Sequence, residues 1–202
     1  MTLALTPDVC RVLLVRHAVA RGHGRFHGHT DVPLAAASRP QLRALVEKLA
    51  PYAIDAIYAS DLTRARATAA VVARAVGGTV IVRPGLREMH FGRWEGLSWD
   101  EVAQQFPRLS RTWVERFPEH PIPGGERLSA FKRRLARELN AIVAAHAGRC
   151  VLLVAHAGVV RIALARALGL SDRHAFRLGQ DPCGLTVIDY VADGAVVQTV
   201  NR

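Results

Sequence analysis

Five side chains of this 202-residue chain have types and spacings that could bind and transfer a small anion. Arg16 and His17 end the apolar run that starts at Cys10, Arg64 follows Ala56-Ile57-Tyr58-Ala59, and His156 ends Val151-Leu152-Leu153-Val154-Ala155. Glu88 follows Val80-Ile81-Val82. Two guanidinium forks match phosphate oxygens in a way lysines would not. Backbone amides that open a helix after His156, Ala157 among them, point a helix amino terminus at the same volume. Such a set could transfer a phosphoryl group. An imidazole here could bind, act as a base or attack phosphorus itself. The cations beside His17 disfavour its protonation, and a neutral His17 could take the phosphoryl group covalently while Glu88, the candidate carboxyl group, protonates the departing alkoxide and later activates water. Arg16, Arg64, His156 and Ala157 hold the phosphoryl oxygens. No cofactor is expected.

The elements that must position these residues read as an alternation of strands and helices. The runs at 12–15 and 151–155 are β-branched and aliphatic without polar alternation, the pattern of strands buried on both faces of a parallel sheet. The expected fold is therefore a three-layer α/β/α sandwich with a mostly parallel central sheet, its ligands binding at the carboxyl ends of the strands. Helices are expected from about Leu34 to Leu49, from Leu62 to Val76 with Ser60-Asp61 as N-cap, from Glu126 to about His146, and from Gly158 to Leu168. Short helical pieces are expected around 99–106 and 109–117. A closing hairpin turns at Asp193-Gly194. The glycine-rich stretch 21–31 reads as a loop over the site, and 98–125 as an insertion capping it within a single domain, 1–202.

Composition narrows the function classes. Half the residues are hydrophobic, yet no run approaches the ~20 needed to cross a bilayer, and no charged region precedes an apolar one at the amino terminus. The expectation is a cytoplasmic protein without membrane association. Cys10, Cys150 and Cys183 lack metal-ligand spacing and read as buried thiols. The formal charge of +10 invites a nucleic-acid reading. Its densest cluster, Lys132-Arg133-Arg134 with Arg137, lies on a helix and reads as a solvated face without interleaved aromatic residues. A small phosphate ester, not nucleic acid, is the expected partner. The oligomeric state stays open, a homodimer included.

The segments also carry a resemblance. Val15-Arg16-His17-Ala18, Ser60-Asp61-Leu62-Thr63-Arg64-Ala65-Arg66, Glu88-Met89-His90-Phe91-Gly92-Arg93-Trp94-Glu95-Gly96 and Val154-Ala155-His156-Ala157-Gly158 occur in the order found in the histidine phosphatase superfamily, the phosphoglycerate mutase-like fold. The resemblance implies that His17 is phosphorylated, that Arg64 binds phosphate, that Glu88 is the proton donor and that no metal is needed. Phe26-His27-Gly28-His29-Thr30-Asp31 and Pro123-Gly124-Gly125-Glu126 resemble the branch that includes α-ribazole phosphatases and broad-specificity phosphatases. His27 and Gly28 are then expected to line the substrate mouth, with Ser60 a further contact. Ala18 stands where the family has glycine, alanines flank His156, and Arg127 stands where serine is common.

Other readings stay beside this one. Glu95 competes with Glu88 as the acid, and is read instead as structural. His23, His27 and His29 could be metal ligands, but no carboxylate or cysteine stands at a sensible spacing, so they are read as solvent- or substrate-facing. Trp94, Trp99 and Trp113 are read as packing residues of the capping segment. A phosphoglycerate mutase is the enzymatic alternative. The non-enzymatic one is an anion- or nucleic-acid-binding module with a degenerate pocket, suggested by Ala18 and the basic charge.

Overall fold

The computed structural model describes residues 6–116 and 121–202. Six strands form one sheet: β1 (Cys10–Arg16), β2 (Ala56–Ala59), β3 (Val80–Val82), β4 (Cys150–Ala155), β5 (Leu185–Val191) and β6 (Gly194–Thr199). Their order is β3-β2-β4-β1-β5-β6. The first four run parallel, and the closing hairpin adds two antiparallel strands at one edge. β1 and β4 are central and buried on both faces, which is why their sequences lack polar alternation.

Side-chain alternation along β1 divides the core. Leu13 and Val15 face α1 (Ser38–Leu49) and α2 (Thr63–Val76), where Leu42, Leu45, Leu49, Ala65, Ala69 and Val72 form the apolar stripe. Val12 and Leu14 face the opposite layer, built on α5 (Leu128–Ala145) and α6 (Ala157–Ala167) through Phe131, Leu135, Leu139 and Val160. The result is the expected three-layer sandwich. A third cluster joins Trp94, Val102 and Ile122 with Phe26, Phe91, Phe106, Leu109 and Trp113. It seats α3 (Trp99–Gln105) and α4 (Pro107–Arg116). The capping segment expected at 98–125 includes residues 117–120, which lie outside the described residues, as does the expected helix end at Phe117. A further short helix, α7 (Asp172–Ala175), follows α6. Among the described residues, no helix is long and apolar enough to cross a membrane.

Three local expectations need correction. α1 begins at Ser38, not near Leu34; Leu34 instead bridges Ala20, and Pro40 sits in the helix's first turn, where an N–H is not required. α2 is not capped by Ser60-Asp61. Asp31 reaches across from the loop, accepting from the Thr63 backbone N–H at 2.8 Å and the Thr63 hydroxyl at 2.7 Å. Asp61 is engaged by Arg87 at 2.5 Å and 2.7 Å. Arg134, finally, is not part of a solvated face. It folds under the segment bearing Glu88 and donates to the carbonyls of Gly85, Arg87 and Glu88.

Candidate active site

The register of the two central strands brings the histidines together. β1 and β4 pair in parallel up to Arg16 opposite Ala155, and the His17 N–H donates to the Ala155 carbonyl at 2.9 Å. The next residue on each strand is a histidine, and the rings meet edge-on with centroids 5.1 Å apart. The His17 Nδ1 lies 2.7 Å from the Ala18 carbonyl, which can only accept, so Nδ1 carries the proton and Nε2 the lone pair. Burial, reinforced by the charges of Arg64, Arg16 and His23 against the opposing Ala18 hydrogen bond, lowers the His17 pKa to about 3. His156 is held well below the ordinary range by burial first, then by His17 and both arginines. Neither His156 nitrogen has a hydrogen-bond partner among the described residues.

Arg64 is 1% exposed. Its Nη1 donates to the Thr30 carbonyl at 2.9 Å, and its Nη2 to those of His27 and Gly28 at 2.7 and 2.8 Å. It therefore clamps the loop over the site with its outer nitrogens. The Nη1 of Arg16 is held by the Gln180 carbonyl at 2.6 Å. The Nε of each arginine is buried without a partner among the described residues. Unpaired buried donors are costly unless something satisfies them. Here they belong to two cationic side chains and a histidine bordering one cavity, which suits an oxyanion with several acceptor oxygens.

That cavity, about 210 Å³, is lined by Arg16, His17, His27, Arg64, Glu88, His156 and Ala157. Gly28 and Ser60 do not line it. Ser60 is fully buried, with its hydroxyl 3.4 Å from the Leu62 N–H. Gly28 packs so tightly that a Cβ would stand 2.2 Å from the Met89 carbonyl oxygen. His23, Arg25, Phe26, Phe91 and Arg161 complete much of the wall. Arg161 and the two phenylalanines escaped the sequence reading. Arg161 had a signal: it stands four residues after Ala157 on α6, so the two share one face of that helix. Phe26 and Phe91 had none, since loop geometry alone brings them edge-on at 5.1 Å.

The two glutamates divide clearly. Glu95 accepts from the backbone N–H groups of Gly28, His29, Thr30 and Phe91 and from the Thr30 hydroxyl. Burial opposes its ionisation, but these hydrogen bonds prevail and lower its pKa. It is a knot tying two loops together. Glu88 instead borders the cavity, its Oε1 accepting from the Met89 N–H at 2.9 Å and its Oε2 from the Gly158 N–H at 2.8 Å.

The remaining candidates separate. His29 donates through Nε2 to the Glu88 carbonyl, while His27 donates through Nε2 to that of Gly22. Trp94 is wholly buried, packed edge-on against Trp99 and Trp113, and none of the three lines the cavity. Ala18 is fully buried in the core beside α1 and α2, and its N–H donates to the Thr68 hydroxyl at 3.1 Å. Among the described residues, Cys183 and Asn201 are the non-glycine positions with positive φ, so Ala18 bears no left-handed strain. Its methyl occupies core space, not the cavity.

Known proteins resemble this chain over most of its length. A bifunctional protein of Mycobacterium tuberculosis is 34% identical over 196 residues, covering 95% of this chain and 54% of its own length. The chain thus spans about half the length of that relative. Phosphoserine phosphatase 1 of Hydrogenobacter thermophilus is 29% identical over 180 residues, covering 88% of this chain and 85% of that protein. The crystal structure of the α-ribazole phosphatase from Shigella flexneri superposes with a TM-score of 0.86 at 26% identity, covering 95% of this chain and 96% of the other. Because residues 12–202 also match the family model, the chain belongs to branch 1 of the histidine phosphatase superfamily.

Proposed function

We propose that the chain is a phosphomonoesterase that works through a phosphorylated His17. In the first step the Nε2 lone pair forms a bond to phosphorus as the P–O bond to the alcohol breaks, and the Glu88 carboxyl group gives its proton to the departing oxygen. In the second step water attacks the phosphorus, Glu88 takes its proton, and the N–P bond breaks to release phosphate. Arg16, Arg64 and His156 face the oxygens that carry charge in both steps, with the amide of Ala157 at the start of α6. The observation that carries this reading is a neutral His17 with a free Nε2, beside partnerless buried nitrogens of two arginines and a second histidine.

No step of the proposal uses a metal. Among the described residues the cavity lining holds one carboxyl group, Glu88, and both its oxygens accept backbone N–H groups, while arginines supply the positive charge. The substrate is a small phosphate ester, with α-ribazole 5'-phosphate one candidate beside a broader range. Support comes from the likeness to the Shigella flexneri enzyme and from a wall in which Phe26 and Phe91 can face a flat group. Three free, buried cysteines are consistent with a cytoplasmic location.

The test is hydrolysis of p-nitrophenyl phosphate in excess chelator, with an alkaline quench to trap the intermediate. We expect turnover in chelator and phosphate bound to His17, both lost in His17→Ala. Full activity of that variant would overturn the covalent route. A panel of α-ribazole 5'-phosphate, sugar phosphates, phosphoserine and phosphoglycerates ranks the substrates by kcat/KM.

A further inference from the structure

Arg134 lies on α5, in the basic cluster whose sequence suggests only solvated charge, yet all five of its N–H groups are engaged. Its Nη1 donates to the carbonyls of Gly85 and Arg87 at 2.8 and 2.9 Å. Its Nη2 donates to the Glu88 carbonyl at 3.2 Å and to Glu126 Oε2 at 2.7 Å, and its Nε to Glu126 Oε1 at 3.1 Å. The guanidinium carbon lies 5.0 Å from the centroid of the Phe131 ring, one turn back on the same helix. Such a fork, with one carboxylate fixing its plane and three carbonyls taking its remaining donors, is more restrictive than any point charge.

The held segment is the one that carries Glu88, and it is closed on itself. The Glu126 N–H donates to the His90 carbonyl at 2.9 Å, so the residue that orients Arg134 is also tied just beyond Glu88. Farther along α5, Glu138 accepts from Arg83 Nε at 2.8 Å, before the segment begins. The Glu88 carbonyl itself receives two donors, Arg134 Nη2 and His29 Nε2, the latter at 3.0 Å. With the backbone thus fixed, the carboxyl group meets the Gly158 N–H at the start of the helix that follows His156. Arg134 does not line the cavity.

We infer that Arg134, oriented by Glu126, is a positioning residue that sets the Glu88 carboxyl group against the leaving oxygen of the substrate. This rests on the phosphatase reading above, in which Glu88 supplies the proton. A misplaced proton donor leaves phosphate binding intact and slows phosphoryl transfer most for esters whose alcohol cannot depart unprotonated. Glu88 also activates water in the second step, which all esters share, so the leaving-group dependence is read in kcat/KM, which ends at departure of the alcohol.

The experiment compares p-nitrophenyl phosphate, whose phenolate departs readily, with glycerol 2-phosphate, whose alkoxide does not, in wild type, Glu88→Gln, Arg134→Gln, Arg134→Lys and Glu126→Gln. For Arg134→Gln we expect kcat/KM on glycerol 2-phosphate to fall at least about tenfold further than on p-nitrophenyl phosphate, with inhibition by inorganic phosphate within about threefold of wild type. Arg134→Lys recovers part of the loss, and Glu126→Gln shows a smaller loss of the same sign. Should Arg134→Gln fail to fold, Glu126→Gln carries the same readout. Equal losses of kcat/KM on both esters, or weaker phosphate inhibition at unchanged kcat, overturn the positioning role. A steep leaving-group dependence in Glu88→Gln with a flat one in Arg134→Gln removes the inference and spares the proton-donor assignment. A flat one in Glu88→Gln removes both.

Discussion

The buried, neutral His17 makes a prediction about stability that does not depend on turnover. Its pKa is about 3 in the folded chain and about 6.5 when unfolded, so between those values the unfolded state binds the extra proton. This contribution to stability is fully present above about pH 6.5 and is lost as pH falls towards 3. Within the window the slope is about 1.4 kcal/mol per pH unit. The matched variant is His17→Asn, whose side-chain amide can still donate to the Ala18 carbonyl but does not titrate. Integrated from pH 4.5 to 6, wild type should gain about 2 kcal/mol more than His17→Asn. Urea unfolding of both proteins across that range measures the difference, in which His156, titrating in both, largely cancels. Parallel stability curves would show that the imidazole is not held neutral by its surroundings, and the case for a free Nε2 nucleophile near neutral pH would fail with it.

Other outcomes follow from single contacts. Arg64→Met removes the donors to three loop carbonyls; it should cost about 2–4 kcal/mol in urea unfolding and weaken phosphate binding by calorimetry at least about tenfold. Unchanged phosphate affinity would place the anion elsewhere. Glu95→Ala leaves four backbone N–H groups and the Thr30 hydroxyl without their acceptor and should lower stability by about 2–4 kcal/mol, with leaving-group dependence like wild type. A selective loss on alkyl esters would make Glu95 the acid instead. Gly158→Ala would set a Cβ 2.1 Å from Glu88 Oε1; the carboxyl group must move, and kcat on an alkyl phosphate should fall by about tenfold or more. A crystal structure of that variant with Glu88 unmoved would contradict this.

Local pattern was enough for most of the elements and for the strand ends that carry the candidate site. Unbroken apolar runs at 12–15 and 150–155 can be satisfied only by burial on both faces, so the two central strands and the histidines that follow them were readable in one dimension. The same holds for Arg64, Glu88 and the hairpin at 185–199, each placed by a strand or turn next to it in the chain. What a side chain meets across long sequence separation was not readable. Asp31 displaced Ser60 and Asp61 as the cap of α2, Gly28 and Ser60 went to packing instead of the cavity, and Phe26 and Phe91 became a wall. Arg134 turned from a surface cation into the clamp on the Glu88 segment.

The physical reason is that strand burial and helix periodicity are set by neighbours a few residues away, whereas hydrogen bonds go to whichever partner the fold delivers. Sequence by itself determined that Arg16-His17 and His156 end buried strands. Only the tertiary structure, through the parallel register that sets Arg16 opposite Ala155, put the two imidazoles edge to edge, buried both, and left His17 neutral with its Nε2 free.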